Sequence, residues 1–262
     1  MSLRLVDVHC HLQHEKYDGR LDEIIEQAKR KMDFLIVSGA NIPWNRRAIE
    51  LSTRHPDFIY ATAGIHPCQN ISDSEFLSEI RYIEENADKI VAIGETGLDH
   101  FWDTDENILQ AQRRRFEELI GLSRSLSLPL VVHSRKAEDA VVSVLESVLE
   151  KNDTKNDMNN VIMHCFSGSK KIMERCIGLG HYISFSTMIL ASKLHKKLAK
   201  SCPVENILLE TDAPYLAPSG TTNFPWNVEL SIKKISEIKN MDATELLNQV
   251  YENSLSAFNI GR

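Results

Sequence analysis

Two histidines near the amino terminus are spaced to bind a metal ion together. In the segment VDVHCHL, His9 and His11 are separated only by Cys10. Because side chains alternate between the two faces of a strand, this spacing predicts that Asp7, His9 and His11 share one face. Two adjacent imidazoles at a strand end are suited to a divalent ion, since histidine is the commonest ligand for zinc-like metals. A pair of surface histidines is the structural alternative.

Four further polar residues each follow a short apolar run. Glu95 lies in VAIGETGLDH, His133 in LVVHSR, His164 in VIMHCFSG and Asp212 in ILLETDAP. A carboxylate such as Glu95 can bridge two ions, and Asp212 can complete a metal site and accept a proton from bound water. Each residue taken alone also has a structural explanation, as an ordinary loop residue, a helix cap or a core histidine. Their joint occurrence favours a metal site.

The apolar runs before these residues predict strands, and amphipathic stretches between them predict helices. Strands rich in Val, Ile and Leu are typical of a parallel sheet that is buried on both faces. This alternation predicts an α/β fold, a (β/α)8 TIM barrel forming a single domain over residues 1–262. The predicted strands are 3–8, 34–38, 58–62, 90–93, 130–132, 161–163, 182–184 and 207–209. The predicted helices are 19–32, 44–54, 74–86, 105–126, 136–150, 169–178, 190–200, 226–239 and 243–257, with Asp242 as the N-cap of the last.

The barrel topology predicts where the polar residues meet. They follow the first, fourth, fifth, sixth and eighth predicted strands. In a (β/α)8 barrel the carboxyl ends of all strands open onto one face, and active sites lie there. We therefore expect these side chains to converge on one cavity.

Charge and composition limit the classes of function. The 262 residues include 30 basic and 37 acidic side chains, for a formal net charge of −7. This charge argues against a protein that coats nucleic acid through bulk positive charge. It does not exclude a nucleic-acid enzyme, because bound divalent ions supply local positive charge.

The cysteines and the hydropathy pattern bear on the compartment. Five scattered cysteines without a CxxC pair indicate neither a disulfide framework nor a thiolate zinc site, which favours a reducing, cytoplasmic location. No apolar run approaches the roughly 20 residues needed to span a bilayer, so no membrane association is expected. No obligate protein partner is evident.

The ordered segments DVHCHL, GIHP, GETGLDH, VVHSR, MHCFSG and LLETDAPYLAP resemble the signatures of TatD-type metal-dependent deoxyribonucleases, which belong to the amidohydrolase-like barrels. The resemblance extends over residues 5–218. It implies that His9, His11 and Asp212 bind one metal ion, that His133 and His164 bind a second, and that Glu95 bridges them.

The resemblance also implies hydrolysis of DNA phosphodiester bonds by a metal-activated water, with Asp212 as the catalytic proton acceptor. His66, from GIHP, and Arg135 are the candidate substrate-binding residues, although each could equally be an ordinary loop or helix-start residue. Magnesium, zinc and manganese are the candidate ions. Family members are described as magnesium-dependent, whereas four imidazoles suit zinc or manganese better than magnesium, which prefers oxygen ligands.

Two departures from the family pattern affect the substrate prediction. Thr222 stands before Asn223 where the family usually has arginine, and His100 and Phe101 follow GLD where an aromatic pair is usual. The main alternative function is an amidohydrolase-type enzyme acting on a small amide, lactone or phosphate ester. Many such barrels have a bridging lysine after the fourth strand, and Glu95 in that place favours the TatD-type branch. A non-catalytic metal-binding protein is the remaining alternative.

Overall fold

Eight parallel strands form one sheet in which each strand pairs with its neighbours in sequence. The structure is a computed structural model that describes residues 4–102, 104–151 and 160–261. The sheet curls into a nearly closed barrel, which confirms the predicted fold. The start of the first predicted strand, residue 3, lies outside the described residues. The strands are β1 Val6–Cys10, β2 Phe34–Ser38, β3 Ile59–Ala63, β4 Ala92–Gly97, β5 Leu130–His133, β6 Val161–Met163, β7 Tyr182–Phe185 and β8 Ile207–Leu209.

Contacts between β1 and the segment after β8 complete the barrel. The backbone N–H of Asp212 donates to the carbonyl oxygen of His9 at 2.9 Å, and that of His11 donates to the carbonyl of Ala213 at 2.7 Å. The Asp7 carboxylate adds a bond by accepting from the backbone N–H of Thr211 at 2.9 Å. These bonds bring the two ends of the strand order together, so residues after β1 and β8 become neighbours.

Helices follow the strands and pack around the barrel. Local capping signals set several of their starts: Ser72 and Glu75 form a capping box at one helix, and Asp242 accepts from the backbone N–H groups of Thr244 and Glu245 as predicted. In the described ranges no helix is both long and apolar enough to cross a membrane. The helices are α1 Leu21–Lys29, α2 Ile42–Arg54, α3 Asp73–Glu85, α4 Glu106–Leu126, α5 Glu138–Lys151, α6 Lys170–Gly178, α7 Lys193–Ser201, α8 Val228–Lys239 and α9 Ala243–Ala257.

The apolar side chains form two layers. The larger cluster joins strand residues such as Leu35 and Val132 to the inner faces of the helices. The smaller cluster contains the alternate strand residues, whose side chains point to the other face of the sheet. It includes Phe34 and Val131, together with Phe258 near residue 262. The smaller cluster therefore fills the barrel interior, and the polar residues lie beyond it at the carboxyl ends of the strands.

The pairing register of β1 corrects the prediction that Asp7, His9 and His11 share a face. Asp7 pairs with Leu35 but Cys10 pairs with Val37, so β1 contains one extra residue at this point. Strict alternation is broken by such a shift. Asp7 consequently points toward Thr211 between the strands, and only the two histidines are directed to the cavity.

Strand β4 is longer than predicted because its glycines serve close packing instead of ending the strand. A Cβ on Gly97 would lie 2.0 Å from the carbonyl oxygen of His133, and one on Gly94 would lie 2.6 Å from that of Val131. Only glycine permits β4 to approach β5 so closely. Glu95 therefore lies inside a strand, directly after Gly94 and two residues before Gly97.

Candidate metal centre

The six predicted metal-binding side chains meet at the carboxyl ends of the strands. Two groups of three have ligand atoms that all lie within 4.8 Å of one another, His9 with His11 and Glu95, and Glu95 with His133 and His164. Glu95 belongs to both groups. Two further groups join His9 and His164 to Asp212, and His66 and Asp99 to His133.

The two carboxylate oxygens of Glu95 face different histidines. Its Oε2 lies 3.5 Å from His9 Nε2 and 3.9 Å from His11 Nε2. Its Oε1 lies 2.9 Å from His133 Nδ1 and 3.7 Å from His164 Nε2. One carboxylate therefore lies between two pairs of imidazoles, as a bridging ligand would.

Asp212 lies on the more open side of the cluster. Its Oδ1 is 3.3 Å from His11 Nε2 and 3.9 Å from His9 Nε2. The Asp212 side chain is 17% exposed, whereas that of Glu95 is 6% exposed. Asp212 can therefore contact both the histidines and a water molecule entering from solvent.

Two buried carboxylates orient the second pair of imidazoles. His133 donates from Nε2–H to Asp99 Oδ2 at 2.9 Å, and His164 donates from Nδ1–H to Glu210 at 2.9 Å. Each ring then turns its other nitrogen, Nδ1 of His133 and Nε2 of His164, toward Glu95. The sequence prediction assigned no role to Asp99, which lies in the GLD segment, or to Glu210, which lies in the ETD segment.

The first pair of imidazoles is held in other ways. His11 donates from Nδ1–H to the carbonyl oxygen of Ser38 at 2.9 Å, which leaves Nε2 facing the cluster. His9 stacks on His164 with ring centroids 3.6 Å apart. Within the described part of the chain, His9 Nδ1 has no hydrogen-bond partner. Packing therefore positions His9, whereas hydrogen bonds position the other three rings.

The carboxylates at the centre are ionised. Burial acts to raise the pKa of Glu95, but His164 and the hydrogen bond from His133 outweigh it, and the pKa lies well below its ordinary value. For Asp212, burial is likewise outweighed by the hydrogen bond that it accepts from His11, so its pKa is also lowered. Both groups are therefore available as anionic ligands or proton acceptors at neutral pH.

Burial and neighbouring charges also shift the pKa values of the imidazoles. Burial acts to lower the pKa of His164, but the adjacent carboxylates of Glu210 and Glu95 raise it to about 10. Burial dominates for His9, whose pKa is lowered. Burial is also outweighed by Asp212 at His11 and by Asp99 at His133, so the pKa of each of these rings is raised. His164 is therefore protonated at neutral pH when no cation is bound.

His66 lies beside the cluster in a defined tautomer. Its Nε2 is 3.3 Å from His133 Nδ1 and 3.6 Å from Glu95 Oε1. Its Nδ1 accepts from the backbone N–H of Cys68 at 3.2 Å, and burial lowers its pKa to about 4. The ring is therefore neutral at physiological pH with its proton on Nε2, so it presents a hydrogen-bond donor to the cavity.

Arg135 lies against aromatic side chains instead of among the six. Its guanidinium carbon is 3.9 Å from the centroid of the Phe101 ring and 5.2 Å from that of Trp102.

Thr222, which stands where the family usually has arginine, precedes a structural residue. Asn223 is fully buried and donates to the carbonyl oxygen of Thr211 at 3.0 Å. Asn223 therefore holds the loop after β8.

Comparison with known proteins agrees with this geometry. A family model described as TatD related DNase matches residues 6–259. The chain belongs to the TatD-related DNase family. A metal-dependent hydrolase from Methanocaldococcus jannaschii is 34% identical over 259 residues, covering 98% of each chain. The 3'-5' ssDNA/RNA exonuclease TatD of Erwinia tasmaniensis is 28% identical, over 98% of this chain and 100% of its own.

A solved structure extends the similarity to three dimensions. The crystal structure of a TatD homolog from Escherichia coli has a TM-score of 0.88 and 26% identity, with 100% of both chains covered. The resemblance read from the sequence is confirmed. This TatD-family protein is a metal-dependent hydrolase.

The donor set of the TatD-family protein fits divalent cations. Four imidazole nitrogens and two ionised carboxylates converge on one cavity, and the hydrogen bonds to Ser38, Asp99 and Glu210 turn one nitrogen of each of three rings inward. Nitrogen-rich sets of this kind suit zinc or manganese more than magnesium. Buried carboxylates without a compensating cation would be costly, so cation binding also relieves their mutual repulsion.

Proposed function

We propose that this protein hydrolyses phosphodiester bonds in DNA with two divalent metal ions. His9, His11 and Asp212 would hold one ion and His133 and His164 the other, with Glu95 contributing to both. The observation that carries the proposal is the position of Glu95, whose two oxygens face different imidazole pairs at 3.5 Å and 2.9 Å. A site for one ion would not require a shared carboxylate.

Bound divalent ions neutralise charge on a phosphodiester and lower the pKa of water to about 7. The protein's own groups would supply the remaining functions. Asp212, ionised and open to solvent, would accept the proton of the attacking water. His66 would donate its Nε2–H to a non-bridging phosphate oxygen, because its tautomer directs a proton into the cavity. Arg135 would add positive charge farther out.

DNA as the substrate rests on the family and on one relative's name. The matching family model is described as a DNase, and the Erwinia tasmaniensis relative is named as an exonuclease of single-stranded DNA and RNA. The net charge of −7 is compatible with an anionic substrate when the cations carry the attraction. The site itself does not favour amide or lactone substrates over phosphodiesters.

Metal removal and restoration test this function. Protein stripped with a chelator and reloaded separately with manganese, zinc or magnesium would be given end-labelled single-stranded DNA. We expect cleavage only after reloading, and the length distribution of the products distinguishes attack at ends from internal cuts. Hydrolysis of a neutral amide or lactone but not of DNA would replace the nuclease proposal with the amidohydrolase alternative.

The metal assignment has its own test. Glu95→Gln keeps the shape of the side chain but removes the charge, and an amide bridges two ions poorly. Metal analysis should find fewer than two ions per chain in this variant and two in the exposed control Glu26→Gln. Equal metal content and affinity in both variants would remove Glu95 from the ligand set.

A further inference from the structure

A pair of large aromatic side chains is exposed beside the metal centre. Phe101 is 46% and Trp102 is 66% exposed, and their rings meet edge to face with centroids 4.9 Å apart. Neither side chain takes part in the hydrophobic clusters of the described residues. Exposed aromatic rings that do not stabilise the core are typical of a binding surface.

The aromatic pair is fixed to the metal centre by one carboxylate. Asp99 Oδ1 accepts from the backbone N–H of Phe101 at 2.8 Å and of Trp102 at 3.1 Å. Its other oxygen, Oδ2, accepts from His133 Nε2 at 2.9 Å. The same side chain therefore orients a proposed metal ligand and sets the turn that carries both rings, so the backbone of this turn is tied to the centre.

A cation completes this surface. The guanidinium carbon of Arg135 lies 3.9 Å from the centroid of Phe101, and the Arg135 carbonyl accepts from the backbone N–H of His100 at 3.0 Å. Aromatic rings stack on nucleobases of any sequence, and arginine adds cation–π attraction and charge for the phosphate. The combination matches a nucleotide, which has a flat base attached to an anion.

The other aromatic group near the centre has a different role. Trp44 and Tyr215 lie against the ring of His11, with centroids 5.1 Å and 5.9 Å away. They therefore pack a proposed metal ligand in place. Among the described residues, Phe101 and Trp102 have no such contact with a ligand ring. Arg135 covers part of the Phe101 ring, so the 66% exposed Trp102 offers the larger surface to a ligand from solvent.

We propose that Phe101, Trp102 and Arg135 form a stacking surface for the nucleobase next to the cleaved phosphodiester. The inference rests on the proposed nuclease function and specifies its substrate. A base inside a duplex is stacked on its neighbours and cannot offer its face to a protein ring. The surface therefore selects unpaired nucleotides, in single-stranded DNA or at frayed ends.

Steady-state cleavage of two matched oligonucleotides tests the surface. One is ordinary single-stranded DNA, and the other has the same phosphates but abasic residues. For ordinary DNA, Trp102→Ala and Phe101→Ala should each raise KM about 5- to 100-fold with little change in kcat, the range expected for loss of one stacked base. For the abasic strand, the variants should match the wild type.

Two further variants control for nonspecific effects. Trp102→Phe keeps an aromatic face and should retain a KM near that of the wild type. Leu77→Ala removes a 49% exposed apolar side chain from α3 and should leave both substrates unaffected. Circular dichroism would verify that each variant is folded.

The outcomes separate the two proposals. If the wild type cleaves DNA but the alanine variants keep its KM, the stacking surface is wrong while the nuclease function stands. The same holds if KM rises by the same factor on ordinary and abasic strands. If the wild type cleaves no DNA with any metal, the nuclease function fails, and the stacking inference fails with it.

Discussion

At the residue scale, Asp212 differs from the other acidic groups of the centre in its access to solvent. Its side chain is 17% exposed and lies close to His9 in β1 and to His11, which directly follows β1. Asparagine would keep an oxygen at this position but cannot accept a proton from water. The residue therefore allows ligand binding and proton transfer to be separated experimentally.

We expect Asp212→Asn to reduce kcat for DNA at least about a hundredfold at saturating metal, because general-base contributions are typically of that order. Metal analysis should show that the variant still binds cations. Nearly full activity with metal bound would exclude Asp212 as the proton acceptor, and complete loss of metal would make it a ligand alone.

The protonation of His164 couples metal binding to pH. Its pKa of about 10 without metal means that the ring carries a proton at neutral pH, and this proton is retained until the pH rises toward 10. A cation can bind Nε2 only after that proton leaves. Metal affinity should therefore rise with pH across the neutral range, by up to about tenfold per unit.

Calorimetric titration of the metal in two buffers of different ionisation enthalpy would count the released protons. We expect about one proton from His164 per chain at pH 7.5. Glu210→Gln removes the carboxylate that raises the pKa of His164, so this variant should release fewer protons. Identical heats in the two buffers would contradict the coupling.

At the element scale, the approach of β4 to β5 positions both Glu95 and His133. Any side chain on Gly97 would collide with the backbone of His133, since a Cβ would lie 2.0 Å from its carbonyl oxygen. The backbone of Gly97 also has φ +141°, which side-chain-bearing residues rarely adopt. The glycine is therefore required by packing and by conformation.

Gly97→Ala should lower the free energy of unfolding by at least about 2 kcal/mol, the scale of overpacking combined with backbone strain. Metal affinity should fall as well, because β4 and β5 separate. Gly121→Ala is the matched control: this glycine lies within α4 with open space around it, and alanine there should stabilise by about 0.5–1 kcal/mol. Urea unfolding would compare them, and equal stabilities would contradict the packing argument.

At the scale of the whole molecule, the centre draws its side chains from five strands and their following segments. His9 lies on β1, Glu95 on β4 and His133 on β5, while His164 and Asp212 follow β6 and β8. A bound cation would therefore join parts of the barrel that are distant in sequence. Binding to the folded state alone raises its stability by mass action.

Saturating metal, at about 100 times its dissociation constant, should add about 2.7 kcal/mol to the unfolding free energy per site. For a chain of this size the gain corresponds to a Tm increase of about 5–10 °C. Differential scanning calorimetry with metal and with chelator would measure it. The triple variant His9→Ala, His11→Ala and Asp212→Asn should lose about half of the increase, because His133, His164 and Glu95 remain. An unchanged wild-type Tm would contradict binding to the folded state.

The sequence by itself determined the order of the elements, the family and the residues that meet. Strands β2, β6 and β8 and helix α9 lie at the predicted bounds, because apolar periodicity and caps such as Asp242 act over a few residues. Parallel βα units can close in few ways, so the strand ends had to share one face. The compartment and the domain limits remain predictions.

Only the tertiary structure decided how the groups at that face are oriented. The turn of Asp7 toward Thr211 follows from a register shift between β1 and β2, which alternation along one strand cannot reveal. The roles of Asp99 and Glu210 depend on which nitrogen of a distant histidine each carboxylate contacts. These contacts join residues 34 and 46 positions apart in sequence. Local patterns determine which elements form, whereas the packing of the closed barrel determines which atoms meet.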